Sequence, residues 1–217
     1  MNFEQARFNM VEQQIRPWEV LDQDVLDLLY TVPREDFVPP AHRALAFSDL
    51  EIPLGEGEAM WVPKIEARVL QELGVKKTER VLEVGTGSGY FAALLAHCAQ
   101  QVTSVEINAR LKSIGEQNLR AHGIDNVMVE QGDAAQEWSA RAPYDVIVLT
   151  GSVPVLPEGI VAQLKPGGRL FAIVGDPPVM EARLITRAGE GATRTADLFE
   201  TSFPPLKNAV QPKRFSF

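Results

Sequence analysis

Apolar and polar positions along this 217-residue chain change period several times, and each change marks an element. From Asn2 to Arg16 the apolar side chains Phe3, Ala6 and Met10, with Phe8 and Val11 beside them, recur at helical spacing until Pro17 stops the run. Asp22 to Leu29 predicts a second short helix, with Asp22 as N-cap ahead of Val25, Leu26, Leu28 and Leu29. Pro33, Pro39 and Pro40 then bracket an extended connection. Between Leu45 and Val62 neither the helical nor the strand period holds, which predicts a long loop with acids at Asp49, Glu51, Glu56 and Glu58. Long ordered loops in compact folds usually carry function. Pro63 opens the next helix at its favoured first position and Gly74 ends it, with Ile65, Val69, Leu70 and Leu73 on one face.

Beyond this helix, strand and helix patterns alternate. Val81-Leu82-Glu83-Val84 is a buried-strand run leading through Gly85-Thr86-Gly87-Ser88-Gly89 into Phe91, Leu94 and Leu95 at helical spacing. Further strands are predicted at Gln101 to Glu106, Val127 to Asp133 and Tyr144 to Thr150, with a helix over Ala109 to His122. A helix over Gly159 to Leu164 and a turn at Pro166-Gly167-Gly168 lead into a fifth strand, Arg169 to Gly175. This alternation predicts an α/β fold with a doubly wound, Rossmann-like, mostly parallel sheet and added N-terminal helices. Two last strand-like runs, Glu181 to Arg187 and Thr193 to Phe203, have no helix between them and should form an antiparallel pair at the sheet edge.

The glycine turn carries the first chemistry. Glycines let a nucleotide's ribose approach the main chain where a Cβ would block it, and the helix beyond offers unpaired N–H donors. A dinucleotide fingerprint is GxGxxG, facing a pyrophosphate. Here the order is GxGxG, Tyr90 stands at the third-glycine position, and Glu83 sits two residues before the first glycine, at the mouth of the site. A carboxylate there repels a pyrophosphate and suits a sulfonium or ammonium group, so S-adenosylmethionine is favoured over NAD. Glu106 ends the next strand about 20 residues on, where a carboxylate can accept both ribose hydroxyls. Asp133 ends the third strand, where adenine would lie, and the end of the fourth, at Thr150, faces the methyl donor. The candidate cofactor-binding set is therefore Glu83, Gly85, Thr86, Gly87, Gly89, Glu106, Ile107, Asp133 and Ala134.

Composition narrows the partners. With 45% hydrophobic residues and a net charge of −8, the chain has material for a well-buried core and little for a general nucleic-acid binder. Its adjacent basic pairs, Lys76-Lys77 and Lys213-Arg214, are too short for strong counterion release. The single cysteine, Cys98, excludes a disulfide framework and a multi-cysteine zinc site and reads as helix packing. His42, His97 and His122 show no metal-ligand spacing, so no metal is expected. No apolar run approaches a membrane span, and Met-Asn-Phe-Glu-Gln lacks a basic-then-apolar signal pattern, so a cytoplasmic monomer is expected.

Together these motifs resemble the protein-L-isoaspartate O-methyltransferase family along nearly the whole chain. The resemblance rests on Val11-Glu12-Gln13-Gln14-Ile15, Val32-Pro33-Arg34-Glu35-Asp36-Phe37-Val38-Pro39, Val81 to Tyr90, Gly132-Asp133, Pro143-Tyr144-Asp145, Gln163 to Gly168 and Phe203-Pro204-Pro205-Leu206. It implies one methyltransferase domain over 1–217, with N-terminal helices and an acceptor-site loop in 1–62 and the cofactor-binding core in 63–217. It also implies S-adenosylmethionine as donor, and as acceptor the carboxylate of a damaged aspartyl residue in a protein or peptide. Glu83, Gly85, Gly87, Glu106 and Asp133 take the family's cofactor positions.

One segment departs from the pattern. Ahead of the proline-started helix the family carries a Thr/Val-Ile-Ser-x-Pro sequence whose hydroxyl lies at the methyl-transfer site. This chain reads Ala59-Met60-Trp61-Val62-Pro63, with no Ser or Thr between Asp49 and Lys77. Trp61 stands in the hydroxyl position and is the candidate catalytic-site residue. Its indole either lines a pocket remodelled for a flatter, more apolar or more cationic acceptor, such as a small aromatic or an amine, or is buried packing beneath the loop. A homologue that keeps the cofactor and has lost transfer is the remaining alternative.

Overall fold

Residues 2–189 and 191–212 are described by a computed structural model; the basic pair Lys213-Arg214 lies outside them. The central sheet has seven strands in the order β5-β4-β3-β6-β7-β8-β9. Strands β3 (Arg80–Val84), β4 (Gln101–Glu106), β5 (Val127–Gln131), β6 (Tyr144–Val153) and β7 (Leu164–Asp176) are parallel. The strands β8 (Val179–Arg187) and β9 (Thr193–Thr201) continue as an antiparallel meander, as the missing helix between them predicted. The chain lays β4 and β5 on one side of β3 and then returns to place β6 and β7 on the other. That reversal opens a crevice beyond the carboxyl ends of β3 and β6, where ligands bind in open α/β sheets.

Both faces of the sheet are covered. Val81, Val102 and Phe171 face one apolar cluster, shared with the N-terminal helices, while Leu82, Ile147 and Leu170 face the other. The strands therefore read as near-continuous apolar runs, because neither face meets water. Helix α4 (Pro63–Leu73) starts at its proline and ends on Gly74 at φ 50°. The helices α5 (Tyr90–Cys98), α6 (Ala109–Ala121), capped by Asn108, and α7 (Glu158–Ala162) connect the strands near their predicted places. Cys98 is a free, partly buried thiol packed against the core. No described helix is long and apolar enough to cross a membrane.

The N-terminal part departs from its sequence reading in two places. Helix α1 (Phe3–Met10) runs on through a π turn, Val11–Ile15, and a 3-10 turn, Arg16–Trp18, that contains Pro17. After α2 (Gln23–Thr31), capped by Asp22 as expected, the segment predicted as extended is helical instead. Pro33 is the N-cap of α3 (Arg34–Phe37), and Pro40 opens a 3-10 turn, Pro40–Leu45, so these prolines start turns rather than prevent them. The long loop likewise holds a hairpin, β1 (Ile52–Gly55) and β2 (Glu58–Met60). Its turn, Glu56-Gly57, has φ of 59° and 81°, the double positive φ of the tightest hairpin connections. Ile52 and Leu54 are buried between exposed Pro53 and Gly55, an alternation too short to register as a period.

Candidate active site

A cleft runs along the carboxyl edge of the sheet, enclosing about 870 Å³ with its open mouth included. Its floor is the glycine loop. At Gly85, φ is 102° and a Cβ would stand 2.1 Å from Thr150 Oγ1, so the close approach is first to the end of β6. Thr150 Oγ1 donates to the carbonyls of Val84 and Gly85 at 2.8 and 2.9 Å, fixing the loop to its neighbouring strand. Gly89 does not line the cleft. It caps α5 at φ 82°, and its missing side chain lets α6 approach at Gly115, whose carbonyl oxygen lies 2.9 Å from where a Cβ would sit.

The carboxylates are held before any ligand arrives. Glu106, 5% exposed, accepts from the Gly87 N–H through Oε2 and from the Asn108 N–H through Oε1, both at 2.9 Å. Asp133 accepts from the Ala135 N–H at 3.1 Å and from Asn208 Nδ2 at 2.8 Å. Ile107 and Ala134 line the cleft beside them, and Ile107 keeps an exposed apolar face. Such walls fit a nucleoside: a glycine floor, an apolar plate and two oriented carboxylates, one for ribose hydroxyls and one for an adenine amine.

Glu83 requires a correction. It is fully buried, behind the loop rather than at the mouth, and does not line the cleft. Ser104 Oγ donates to Glu83 Oε2 and lies 2.6 Å from Thr86 Oγ1, while Glu83 Oε1 has no partner. Burial pushes its carboxyl up to about 8, the Ser104 hydrogen bond pulls it back, and the nearby Glu106 charge adds to the rise. Its place is therefore to brace the loop through Ser104 and Thr86 rather than to face the ligand.

Beyond the glycine loop the walls turn aromatic. Trp61 is 5% exposed, and its indole meets Phe91, Phe171 and Phe203 edge-on, with centroids 5.3, 5.8 and 6.1 Å away. The ring is both core packing and cleft wall, since Trp61, Phe91 and Phe203 all line the cavity. Its Nε1 is buried without a partner. Behind it, Arg34 is buried and spends every arm: Nε on the Ala46 carbonyl at 2.9 Å, Nη2 on the Trp61 carbonyl at 2.7 Å, and Nη1 on Glu66 Oε2. Glu66 lines the cleft, and desolvation lifts its carboxyl to about 7 against the pull of Arg34.

Sequence reasoning missed three contributors. Glu66 had a signal, because it lies on the buried stripe of α4 with Val69, Leu70 and Leu73, where a carboxylate needs a partner. The hairpin, expected only as an acceptor-site loop without its strands, contributes Leu54, Glu58, Ala59 and Met60. The segment after β9 contributes Phe203 to Lys207, held by the Ser152 amide and hydroxyl on the carbonyls of Pro204 and Phe203 at 3.0 and 2.8 Å.

Comparison with known proteins agrees with this architecture. Residues 5–211 match the family model for protein-L-isoaspartate (D-aspartate) O-methyltransferase. Protein-L-isoaspartate O-methyltransferase 2 of Syntrophobacter fumaroxidans is 40% identical over 187 residues, 86% of this chain and 76% of that one. Protein-L-isoaspartate O-methyltransferase 1 of Rhodopseudomonas palustris is 40% identical over 206 residues, 94% of this chain and 84% of its own. A solved protein-L-isoaspartate O-methyltransferase superposes with a TM-score of 0.77 at 26% identity, over 93% of this chain and 65% of that one. The chain belongs to the protein-L-isoaspartate (D-aspartate) O-methyltransferase family.

Proposed function

We propose that this chain methylates the carboxylate of isoaspartyl residues in damaged proteins, using S-adenosylmethionine. One observation carries the reading: the ends of β3, β4, β5 and β6 bring the glycine floor, Glu106, Asp133 and Thr150 to a single cleft in a chain of this family. S-adenosylmethionine supplies an electrophilic methyl group on a sulfonium. In this reading Glu106 accepts the ribose hydroxyls, Ile107, Asp133 and Ala134 hold the adenine, and Gly85, Thr86 and Gly87 admit the ligand to the main chain. Glu83, buried behind the loop, braces this floor through Ser104 and Thr86.

A carboxylate acceptor is ionised at pH 7 and needs no general base. The protein's work is therefore to hold oxygen and methyl in line and to exclude water. Trp61, Phe91 and Phe203 exclude water in this reading, and no serine hydroxyl stands at position 61 to orient the acceptor. Loss of one such bond to a charged partner removes on the order of 1.5 to 3 kcal/mol, which slows transfer without abolishing it.

The test is transfer of labelled methyl to an isoaspartyl peptide beside its aspartyl twin, in wild type and Trp61→Ser. Wild-type labelling confined to the isoaspartyl peptide is the expected result. Intact cofactor binding with no labelling of that peptide would overturn the acceptor assignment.

A further inference from the structure

The acceptor half of the cleft offers a carboxylate little to bind. Of the described lining residues the only cation is Lys207, whose Nζ is 3.0 Å from Glu58 Oε1, while Glu58, Glu66, Glu106 and Asp133 are acids. The buried guanidinium nearest this end, Arg34, has each of its three nitrogens engaged within the chain, already holds a carboxylate of its own chain and lies 4.9 Å over the Tyr90 ring. What remains is an aromatic enclosure of Trp61, Tyr90, Phe91 and Phe203 with Glu66 in its wall. Arg34 engages Glu66 through Oε2 only. Tyr90 Oη, buried in the same wall, has no hydrogen-bond partner. Rings with a carboxylate and an unpaired phenol oxygen make a receptor for an N–H-bearing cation on an apolar body.

We propose that the cleft also takes an arylalkylamine, an amine joined to an aromatic ring by a short alkyl chain, as methyl acceptor, with Glu66 receiving its proton; the proposal rests on the methyl-transfer reading above. Unlike a carboxylate, an ammonium must lose a proton before it can attack, so this acceptor needs the base that the family reaction does not. One N–H proton passes to Glu66, and the freed nitrogen lone pair forms the bond to the methyl carbon. The carbon–sulfur bond of the sulfonium breaks with its electron pair going to sulfur, and Glu66 releases its proton to solvent. The ring rests against Trp61 and Phe203, and Tyr90 Oη accepts from a second N–H.

The probe is 2-phenylethylamine, with 3-phenylpropionate as the carboxylate of similar shape and the isoaspartyl peptide as reference. Calorimetry without cofactor should show the amine binding the wild type at least about tenfold more tightly than the carboxylate. With labelled cofactor the amine should be methylated, at a rate that rises with pH as Glu66 ionises. Glu66→Gln should lose that pH-dependent limb and at least about a hundredfold in amine transfer. Tighter binding of 3-phenylpropionate, or an amine rate unchanged in Glu66→Gln, overturns the proposal. If that variant fails to fold, the wild-type preference between the two probes decides alone. Labelling of the peptide without the amine overturns only this inference, whereas no labelling of any acceptor overturns the methyl-transfer reading with it.

Discussion

Lys207 Nζ and Glu58 Oε1 meet at 3.0 Å, joining the segment after β9 to the β1–β2 hairpin over the cleft. Both side chains are partly exposed, so the pair contributes about 0 to 1 kcal/mol to stability and is screened by salt. Its effect belongs to ligand exchange, since both partners line the cavity. Lys207→Ala should leave the Tm within about 2 °C of wild type and speed cofactor dissociation severalfold, measured by stopped-flow displacement. Raising salt should bring the wild type toward the variant.

Arg34 and Glu66 behave differently because both are buried. Removing either charge alone strands the other, which costs about 3 to 5 kcal/mol. Arg34→Met should lower the unfolding free energy measured by urea denaturation by that amount. The double variant Arg34→Met/Glu66→Leu should recover most of the loss, and a double-mutant cycle measures the coupling.

The contact between Gly89 and Gly115 ties cofactor binding to helix packing. A Cβ at Gly115 would stand 2.7 Å from Thr86 Cγ2 and 3.2 Å from the Gly87 carbonyl oxygen, displacing the floor of the cleft. Gly115→Ala should destabilise the fold by about 1 to 3 kcal/mol and weaken S-adenosylmethionine binding in an isothermal titration.

Glu83 sets a pH dependence. Its folded carboxyl is pushed up to about 8 from the ordinary 4.5, so between those values the folded state holds a proton that the unfolded state has released. Its contribution is fully present below about pH 4.5 and is lost as the pH rises through 8, with a size on the order of 3 to 5 kcal/mol. Unfolding midpoints of the ligand-free protein should fall across that window, and Glu83→Gln should flatten the decline. Glu66 adds a slope of the same sign, which leaves part of the decline in the variant.

The core of the sheet was legible because strands such as Arg80 to Val84 and Tyr144 to Thr150 are runs of at least five residues with a distinct apolar signature, the first ending at Gly85 and the second starting after Pro143. The hairpin was not, because Ile52–Gly55 and Glu58–Met60 are too short for a period and take their geometry from the positive φ values at Glu56 and Gly57. The glycine floor, Glu106 and Asp133 converge on one cleft because parallel strands bring successive carboxyl ends to one edge. Glu83 was placed at the mouth because its neighbours in sequence are there. Strand alternation turns its side chain the other way, toward Ser104.

The bonding of Arg34 also bears on how this chain can change over generations. A buried guanidinium whose arms end on Ala46, Glu66 and Trp61 ties three separate stretches of sequence into one selective unit. A lineage cannot exchange the acid at 66 by a single step without first passing through a protein that folds poorly. The acid at 66 is therefore held against drift, whereas position 61, which Arg34 meets only at its main-chain carbonyl, can change its side chain while 34 and 66 stay as they are.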